Sequence, residues 1–525
     1  MTRLRCESQL GAGNGDEERP AIGLLRCGER QRSPAEYTVI LGRYDIELVR
    51  FPLRVISSER EGTGASCAID ASNGQLCVPA RESLLTGRYP SVHRVLQNST
   101  AEHVVTTSDL VATLRQAGYR VDLSGKNHSH LSAREFDHYA ASMHTGSVAP
   151  TTNDVERRFD EWLNALDHSV SPIATPFPLE VQLPVRIVND ALEFVRTSDD
   201  RPFFLWLSFP EPHNPYQVPE PYFSMFPVGE VPKRGAGREA LATKSNRCRW
   251  LGSLIEEKLR GYDEQWRRYR ANYLGMLKLL DDQLSRFVSE LAQQGKSERT
   301  LIVVVADHGD FVAEYGLQRK GVGLPECLIR IPMVFCGPGV RESVFETEFV
   351  SIADVFPTIC EALDLPLPVG TQGRSLWPLL TGTASAPSAE FASVFAEVGY
   401  GGVPYLAKEH PALHFPYGGP TFDELNSVTQ SGKLKMVRME HWKLIADSVG
   451  NVELYDLDDD PFELNDLSDR PEYIDRKVVL LEELVRWTIR VEDDLPTGAY
   501  TPKSAPNNWW SLVVPSRHGH VDIAD

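Results

Sequence analysis

The chain has 525 residues, 42 % hydrophobic and 24 % charged, a soluble globular composition with ample material for a core. Its formal net charge of −19 argues against a nucleic-acid partner, which needs a basic surface, although positive groups that converge locally still bind anions. No run of about 18 uncharged apolar residues marks a transmembrane helix, so no membrane partner is expected.

The opening MTRLRCESQLGAGNGDEERP lacks the apolar core of a signal peptide, so the chain as written is expected to be cytoplasmic. Residues 1–18, rich in Gly and charge, read as a disordered N-terminus. Beyond them, short apolar runs alternate with amphipathic patterns. YTVIL (37–41), YRVDLS (119–124), FFLWLSF (203–209), TLIVVVA (300–306) and PMVFCG (332–337) read as buried strands. In QLCVPARESLLTG (75–87), Pro79 suits a first helical turn and Gly87 a C′ position, which predicts a helix over 78–86 with Cys77 at its N-terminus. A long helix is expected over about 263–294, where Trp266, Tyr269, Tyr273, Leu277, Leu280, Leu284, Phe287 and Leu291 form one apolar face. Strands separated by helices imply an α/β fold, a large mixed, mostly parallel sheet sandwiched by helices.

Near residue 385, GTASAPSAE reads as a linker. It divides a catalytic domain over 19–385 from a smaller C-terminal α+β subdomain over 386–525. There LKMVRME, HWKLIAD and NVELYDL form a meander, DLDDDPFELND a solvated acidic turn, and about 472–492 a helix. The eight cysteines form neither a dense disulfide framework nor a metal knuckle, and most read as buried thiols.

Chemistry in open α/β sheets gathers beyond the carboxyl ends of the strands. YRVDLS is followed by Gly125-Lys126-Asn127-His128, FFLWLSF by a turn with His213 and Asn214, and LIVVVA by Asp307-His308-Gly309-Asp310, with Lys320 further on. Each alone reads as a loop residue or an Asx turn; together they point to a site. Cys77 at a helix N-terminus, one turn from Arg81, adds an anion site with a cysteine in it.

Cys77-x-Pro79-Ala80-Arg81 followed by Leu85-Thr86-Gly87-Arg88 resembles the signature of the type I sulfatases, within the alkaline-phosphatase superfamily. The resemblance implies an alkaline-phosphatase-like fold and a formylglycine at position 77, made from Cys77 by a formylglycine-generating enzyme, a maturation partner. The hydrate of that aldehyde then attacks the sulfur of a sulfate ester. Carried over by motif, Arg81 supports the nucleophile and Lys126 binds the sulfate. His128 helps expel sulfate by deprotonating the remaining hydroxyl. His213 contacts the leaving-group oxygen, and Lys320 is the second sulfate-binding lysine. Asp307 and His308 match metal ligands, with position 77 beside them. The expected metal is calcium, with manganese or magnesium next, and the imidazole of His308 leans toward manganese. GRSLWPLLTG (373–382) and ELYDLDDDPFELNDL (453–467) resemble structural landmarks.

The residue types suit this chemistry without the family. An anionic ester needs cations at the point of attack, here Lys126, Lys320, Arg81 and a divalent metal. A histidine beside the leaving oxygen can donate a proton.

One segment departs from the family pattern. RPAIGLLRCGERQR (19–32) places Gly28 at the first metal-binding aspartate and Glu29 at the second ligand position. Glu29, or else Asp45, serves as the carboxylate; or this half of the site is degenerate; or the upstream sequence reflects a misassigned start, splice or frame. The leading reading is a sulfatase acting on a small-molecule or carbohydrate sulfate ester. A phosphonate monoester hydrolase or phosphodiesterase shares Cys-x-Pro-Ala-Arg and a histidine after the metal-binding aspartate. A metal-deficient pseudoenzyme is the non-enzyme alternative. The basic segment 233–250 reads as a solvated insertion or as a steering surface, and 401–420, with His410 and His414, as a cleft wall or a surface loop.

Overall fold

The structure, a computed structural model, describes residues 38–42, 64–98, 100–149, 153–197, 200–345, 348–385, 390–406, 408–409 and 429–494. Ten strands form the first sheet: β1 (Thr38–Gly42), β2 (Gly64–Ala71), β3 (Arg120–Gly125), β4 (His138–Met143), β5 (Gly146–Ser147), β6 (Phe203–Ser208), β7 (Thr300–Val305), β8 (Arg330–Cys336), β9 (Ser343–Phe345) and β10 (Val350–Ser351). Their order is β10-β2-β8-β7-β1-β6-β3-β4-β5, with β9 paired to β2. The centre, from β7 through β1, β6 and β3 to β4, is parallel, and β8 runs antiparallel to both β7 and β2. The mixed, mostly parallel sheet expected from the sequence is therefore present.

A parallel strand covered on both faces must be apolar on both, and β7, TLIVVV, is buried at every position. The two-residue period divides it. Leu301, Val303 and Val305 join Val121, Leu123, Phe204 and Trp206 in one core layer. Ile302 and Val304 face the other layer with Leu205 and Leu207, under α2 (Leu183–Arg196) and α3 (Trp266–Gln293). The short α1 (Cys77–Thr86) begins one residue earlier than its sequence pattern suggests, and it ends at Gly87 with φ 64°. The long helix starts at Trp266, after a 3₁₀ turn over Asp263–Gln265. It buries Tyr269, Tyr273, Leu280, Leu284, Phe287 and Leu291, whereas Trp266 and Leu277 are only partly covered.

The second sheet is antiparallel: β11 (Ser393–Val398), β12 (Leu434–Met439), β13 (Trp442–Asp447) and β14 (Val452–Asp456). The expected meander is its last three strands. α4 (Ile474–Glu492) lays Leu480, Leu484, Trp487 and Val491 on this sheet, against Phe395, Val437, Leu444 and Leu454. Trp487 stacks on Phe395 at 5.9 Å, and its Nε1 donates to Ser393 Oγ (2.7 Å). Tyr89 and Val92, just past α1, belong to the same cluster, so this layer also braces the chain that leaves α1.

A buried ion group ties β13 to the chain that follows Lys320. Lys443, fully buried, lies 2.7 Å from Glu463 Oε1 and 3.1 Å from Glu326 Oε1. Burial opposes the charge on Glu326, but Arg438 and Lys443 outweigh it and hold this carboxyl down at about 2. Removing one member leaves a buried charge without its partner. Lys443→Met is therefore expected to lower the unfolding free energy by about 3–5 kcal/mol, read as a drop in urea midpoint.

Candidate active site

Cys77 lies in the first turn of α1 and is fully buried. Lys126 Nζ donates to its Sγ (3.5 Å), and His308 Nε2 stands 3.1 Å away. His308 Nδ1 donates to Gly309 O (2.7 Å), which fixes the tautomer and leaves Nε2 as the acceptor. Arg81, four residues on from Cys77, reaches three strand ends. Its Nε donates to Asp307 Oδ2 (3.0 Å), and its Nη1 to Lys126 O (2.8 Å), Asn127 O (3.1 Å) and Ser208 Oγ (3.0 Å). Its guanidinium also sits 5.5 Å from the Trp206 ring centroid. The structure thus joins Cys77, Arg81, Lys126, Asp307 and His308 in one buried network.

The glycines of this network are required by close approach. Gly125 has φ 105°, and a Cβ there would lie 1.8 Å from Ser208 O, because Lys126 N donates to that same carbonyl (2.7 Å). At Gly309 a Cβ would meet Cys327 O at 2.0 Å. Ser72 Oγ donates to Asp307 O (2.6 Å), so the end of β2 helps hold the Asp-His turn.

The other sequence-derived residues enter through neighbours. Lys320, 1 % exposed, is one of the charges acting on Asp310. Burial pushes the Asp310 carboxyl up, against hydrogen bonds from Val312 N and Tyr216 Oη and the charge of Lys320. His128 follows Lys126 on the same turn, with φ 46°. His213, 3 % exposed, donates from Nδ1 to Asn214 O (2.8 Å) and stacks on His144. Glu29, Asp45, His410 and His414 lie outside the described residues. Within them, β1 ends at Gly42 opposite Val304, beside the strand that carries Asp307 and His308.

Three supporting groups escape the sequence pattern. His130 donates its backbone N–H to Glu82 Oε1 (2.7 Å), and its ring bridges Glu82 Oε2 (2.6 Å) and Asp109 Oδ2 (3.3 Å). This pins the Lys126–His128 turn to α1. Asp310, read only as part of a turn, receives Tyr216 and the backbone N–H groups of Val312 and Arg319. His144 follows β4, a strand whose sequence HYAASM has weak strand character. In the basic segment 233–250, Arg234 pairs with Asp263, Arg238 with Glu256, Lys244 with Glu463 O, and Arg247 Nε donates to Ser431 O, whereas Lys233 and Arg249 are exposed.

A sulfatase family profile matches residues 61–365. The chain belongs to the sulfatase family. Among its relatives, an arylsulfatase of Clostridium perfringens is 24 % identical over 78 % of this chain and 84 % of that one. A multifunctional alkaline phosphatase superfamily protein of Trinickia caryophylli is 28 % identical over 76 % of this chain and 82 % of its own length. A phosphonate monoester hydrolase from Silicibacter pomeroyi superposes with a TM-score of 0.67 at 20 % identity, covering 87 % of this chain and 95 % of that one. This sulfatase therefore has the alkaline-phosphatase-like fold that its sequence implies.

Burial opposes the charge on His130, but its hydrogen bonds to Asp109 and Glu82 outweigh it and push the imidazole up to about 10 from an ordinary 6.5. Its protonated form thus contributes stability that is full below pH 6.5 and lost as the pH rises toward 10. The difference in urea midpoint between the wild type and His130→Gln is expected to be largest near pH 6 and to shrink as the pH rises through about 10.

Proposed function

We propose that this protein hydrolyses sulfate monoesters, R–O–SO3⁻ + H2O → R–OH + SO4²⁻ + H⁺, with formylglycine made from Cys77 and with a divalent metal. The observation that carries this reading is the placement of Cys77 in a helical first turn, between Lys126 Nζ and His308 Nε2, with Arg81 bound to Asp307. Cys77 Sγ marks where the oxygens of the aldehyde hydrate would stand, and that hydrate supplies an oxygen nucleophile in place of the thiol.

The residues present fit a divalent ion. Ligand atoms of Cys77, Asp307 and His308 lie within 4.8 Å of one another, a carboxylate and an imidazole with its lone pair free of the Gly309 bond. Asp307 and His308 would hold the metal, together with an oxygen at position 77 and a carboxylate from Glu29 or Asp45. Bound there, the metal supplies Lewis-acid stabilisation of developing negative charge. Calcium is the first choice for an oxygen-rich set, with manganese or magnesium next.

Lys126 and Lys320 neutralise the sulfate oxygens, so that the nucleophile can approach an anion. Arg81 keeps the Lys126 carbonyl and Asp307 in place on either side of position 77. As an imidazolium with Nδ1–H committed to Asn214 O, His213 gives its Nε2 proton to the leaving oxygen. His128 takes the proton that releases sulfate. The partners are a formylglycine-generating enzyme during maturation and a small-molecule or carbohydrate sulfate ester.

A second reading, hydrolysis of phosphonate monoesters, is favoured by the histidine that follows Asp307. Comparing kcat/KM for 4-nitrophenyl sulfate and a 4-nitrophenyl phosphonate decides between them; dominant phosphonate turnover overturns the sulfatase reading. The tryptic peptide Glu61–Arg81, from protein co-produced with a formylglycine-generating enzyme, is expected to show the aldehyde mass at position 77. An unmodified thiol counts against the mechanism. Cys77→Ala should lower kcat/KM by about 10⁴-fold or more without changing the melting temperature. Metal analysis of Glu29→Gln and Asp45→Asn is expected to show loss of the ion in one of them; no bound ion even in reconstituted wild type would favour the pseudoenzyme.

A further inference from the structure

α1 carries more of the site than Cys77. Arg81 and Glu82 are consecutive on it, and both reach the turn that follows β3. Arg81 Nη1 donates to the carbonyls of Lys126 (2.8 Å) and Asn127 (3.1 Å). Glu82 Oε1 accepts the backbone N–H of His130 (2.7 Å), and Glu82 Oε2 lies 2.6 Å from the ring Nδ1 of the same residue. The helix of the nucleophile thus grips the chain on both sides of His128. Arg81 holds the carbonyl just before it, and Glu82 holds the N–H group two residues after it.

Glu82 is fully buried, a position a carboxylate keeps only with partners for its oxygens, and both oxygens meet His130. Asp109 extends the bridge. Its Oδ2 lies 3.3 Å from His130 Nε2, and its Oδ1 accepts Ala112 N–H (2.8 Å) at the start of the helix Leu110–Gln116. Position 130 is therefore tied to two helices. Asn127 and Ser129 bond within the turn and to β4 instead: Asn127 Nδ2 donates to Leu131 O (2.6 Å) and Tyr139 Oη (3.2 Å), and Ser129 Oγ donates to Asn127 Oδ1 (2.6 Å). These bonds shape the turn, whereas Arg81 and Glu82 set where it sits against α1. His128 itself has φ 46°, in the left-handed region that a residue other than glycine keeps when the chain around it is held.

We propose that Glu82 and His130 are positioning residues for His128, holding it in register with the nucleophile on α1, and that they thereby govern the release of sulfate rather than the attack on the ester. The proposal rests on the sulfatase reading. In release, His128 takes a hydroxyl proton at position 77, the carbonyl double bond forms there, and sulfate leaves with the electron pair of the broken C–O bond. That step needs a base within reach, and well-placed general bases contribute about 10²–10⁴-fold. Attack comes earlier and relies on Lys126. Its N–H is bound to Ser208 O (2.7 Å) and its carbonyl to Arg81, so its place does not depend on Glu82.

The test uses the matured, metal-loaded enzyme with 4-nitrophenyl and 4-cyanophenyl sulfate. Glu82→Met keeps much of the side-chain volume and removes both acceptors. It is expected to lower kcat about tenfold or more while kcat/KM changes less than about threefold, because kcat/KM covers the steps only through loss of the phenol. For the same reason the kcat values of the two esters should converge in Glu82→Met. Glu82→Gln keeps an oxygen for the His130 N–H and an amide for its ring, and should stay within about threefold of the wild-type kcat. Equal losses in kcat and kcat/KM, no loss in Glu82→Met, kcat values that stay apart, or Glu82→Gln no better than Glu82→Met overturns the proposal. Wild-type turnover of the nitro ester tests the sulfatase reading by itself. Amide hydrogen exchange gives a readout without turnover. The His130 N–H is expected to be protected in the wild type and in Glu82→Gln, and to exchange about tenfold faster or more in Glu82→Met. Rapid exchange in the wild type, or unchanged protection in Glu82→Met, also overturns the proposal.

Discussion

The arrangement depends on one side chain, the Arg81 guanidinium. It is 3 % exposed, and its hydrogen bonds go to Asp307 beyond β7, to the Lys126 and Asn127 carbonyls beyond β3, and to Ser208 at the end of β6. A planar fork of donors suits this role because it can bind several acceptors lying in different directions while remaining charged. One cation thereby registers α1, and with it Cys77, against three strand ends. A lysine would bring a single point of attachment. The same charge lies against the buried Asp307 carboxylate, beside Cys77.

Charge is organised locally against the bulk composition. The chain carries −19 overall, yet Lys126, Arg81 and Lys320 are buried near the strand ends. Of these buried cations, Arg81 meets a carboxylate and an array of carbonyls, and Lys126 Nζ donates to Cys77 Sγ. Asp307 answers Arg81, and Asp310 lies in the field of Lys320. Preorganised positive charge of this kind stabilises the negative charge that develops during transfer. Away from the site the same logic serves cohesion: Lys443 between Glu326 and Glu463 locks the second sheet to the chain that follows Lys320.

Much of this was legible in the order of residues. The five apolar runs, the helix after Cys77, the long helix and the last three strands of the second sheet all follow from local pattern, since periods of 2 and 3.6 are imposed by backbone geometry. Of the strands that escaped, GASCAIDA and HYAASM are poor in branched residues. GASCAIDA and HYAASM become strands because β8 and β3 lie alongside them, and Ser393–Val398 because it edges β12. Their neighbours, not their propensity, decide them.

The sequence by itself determined the chemistry: a cysteine in a signature that resembles one family, followed by lysines, histidines and an aspartate placed just past buried strands. Short-range spacing carries that information because it is set by the helix turn and the strand end. Only the tertiary structure decided which side chains support those groups. Glu82 finds His130, Asp109 closes the bridge from a third element, and His144 meets His213 across β3. Those meetings come from the order of strands in the sheet, a long-range consequence of packing that adjacent residues do not encode.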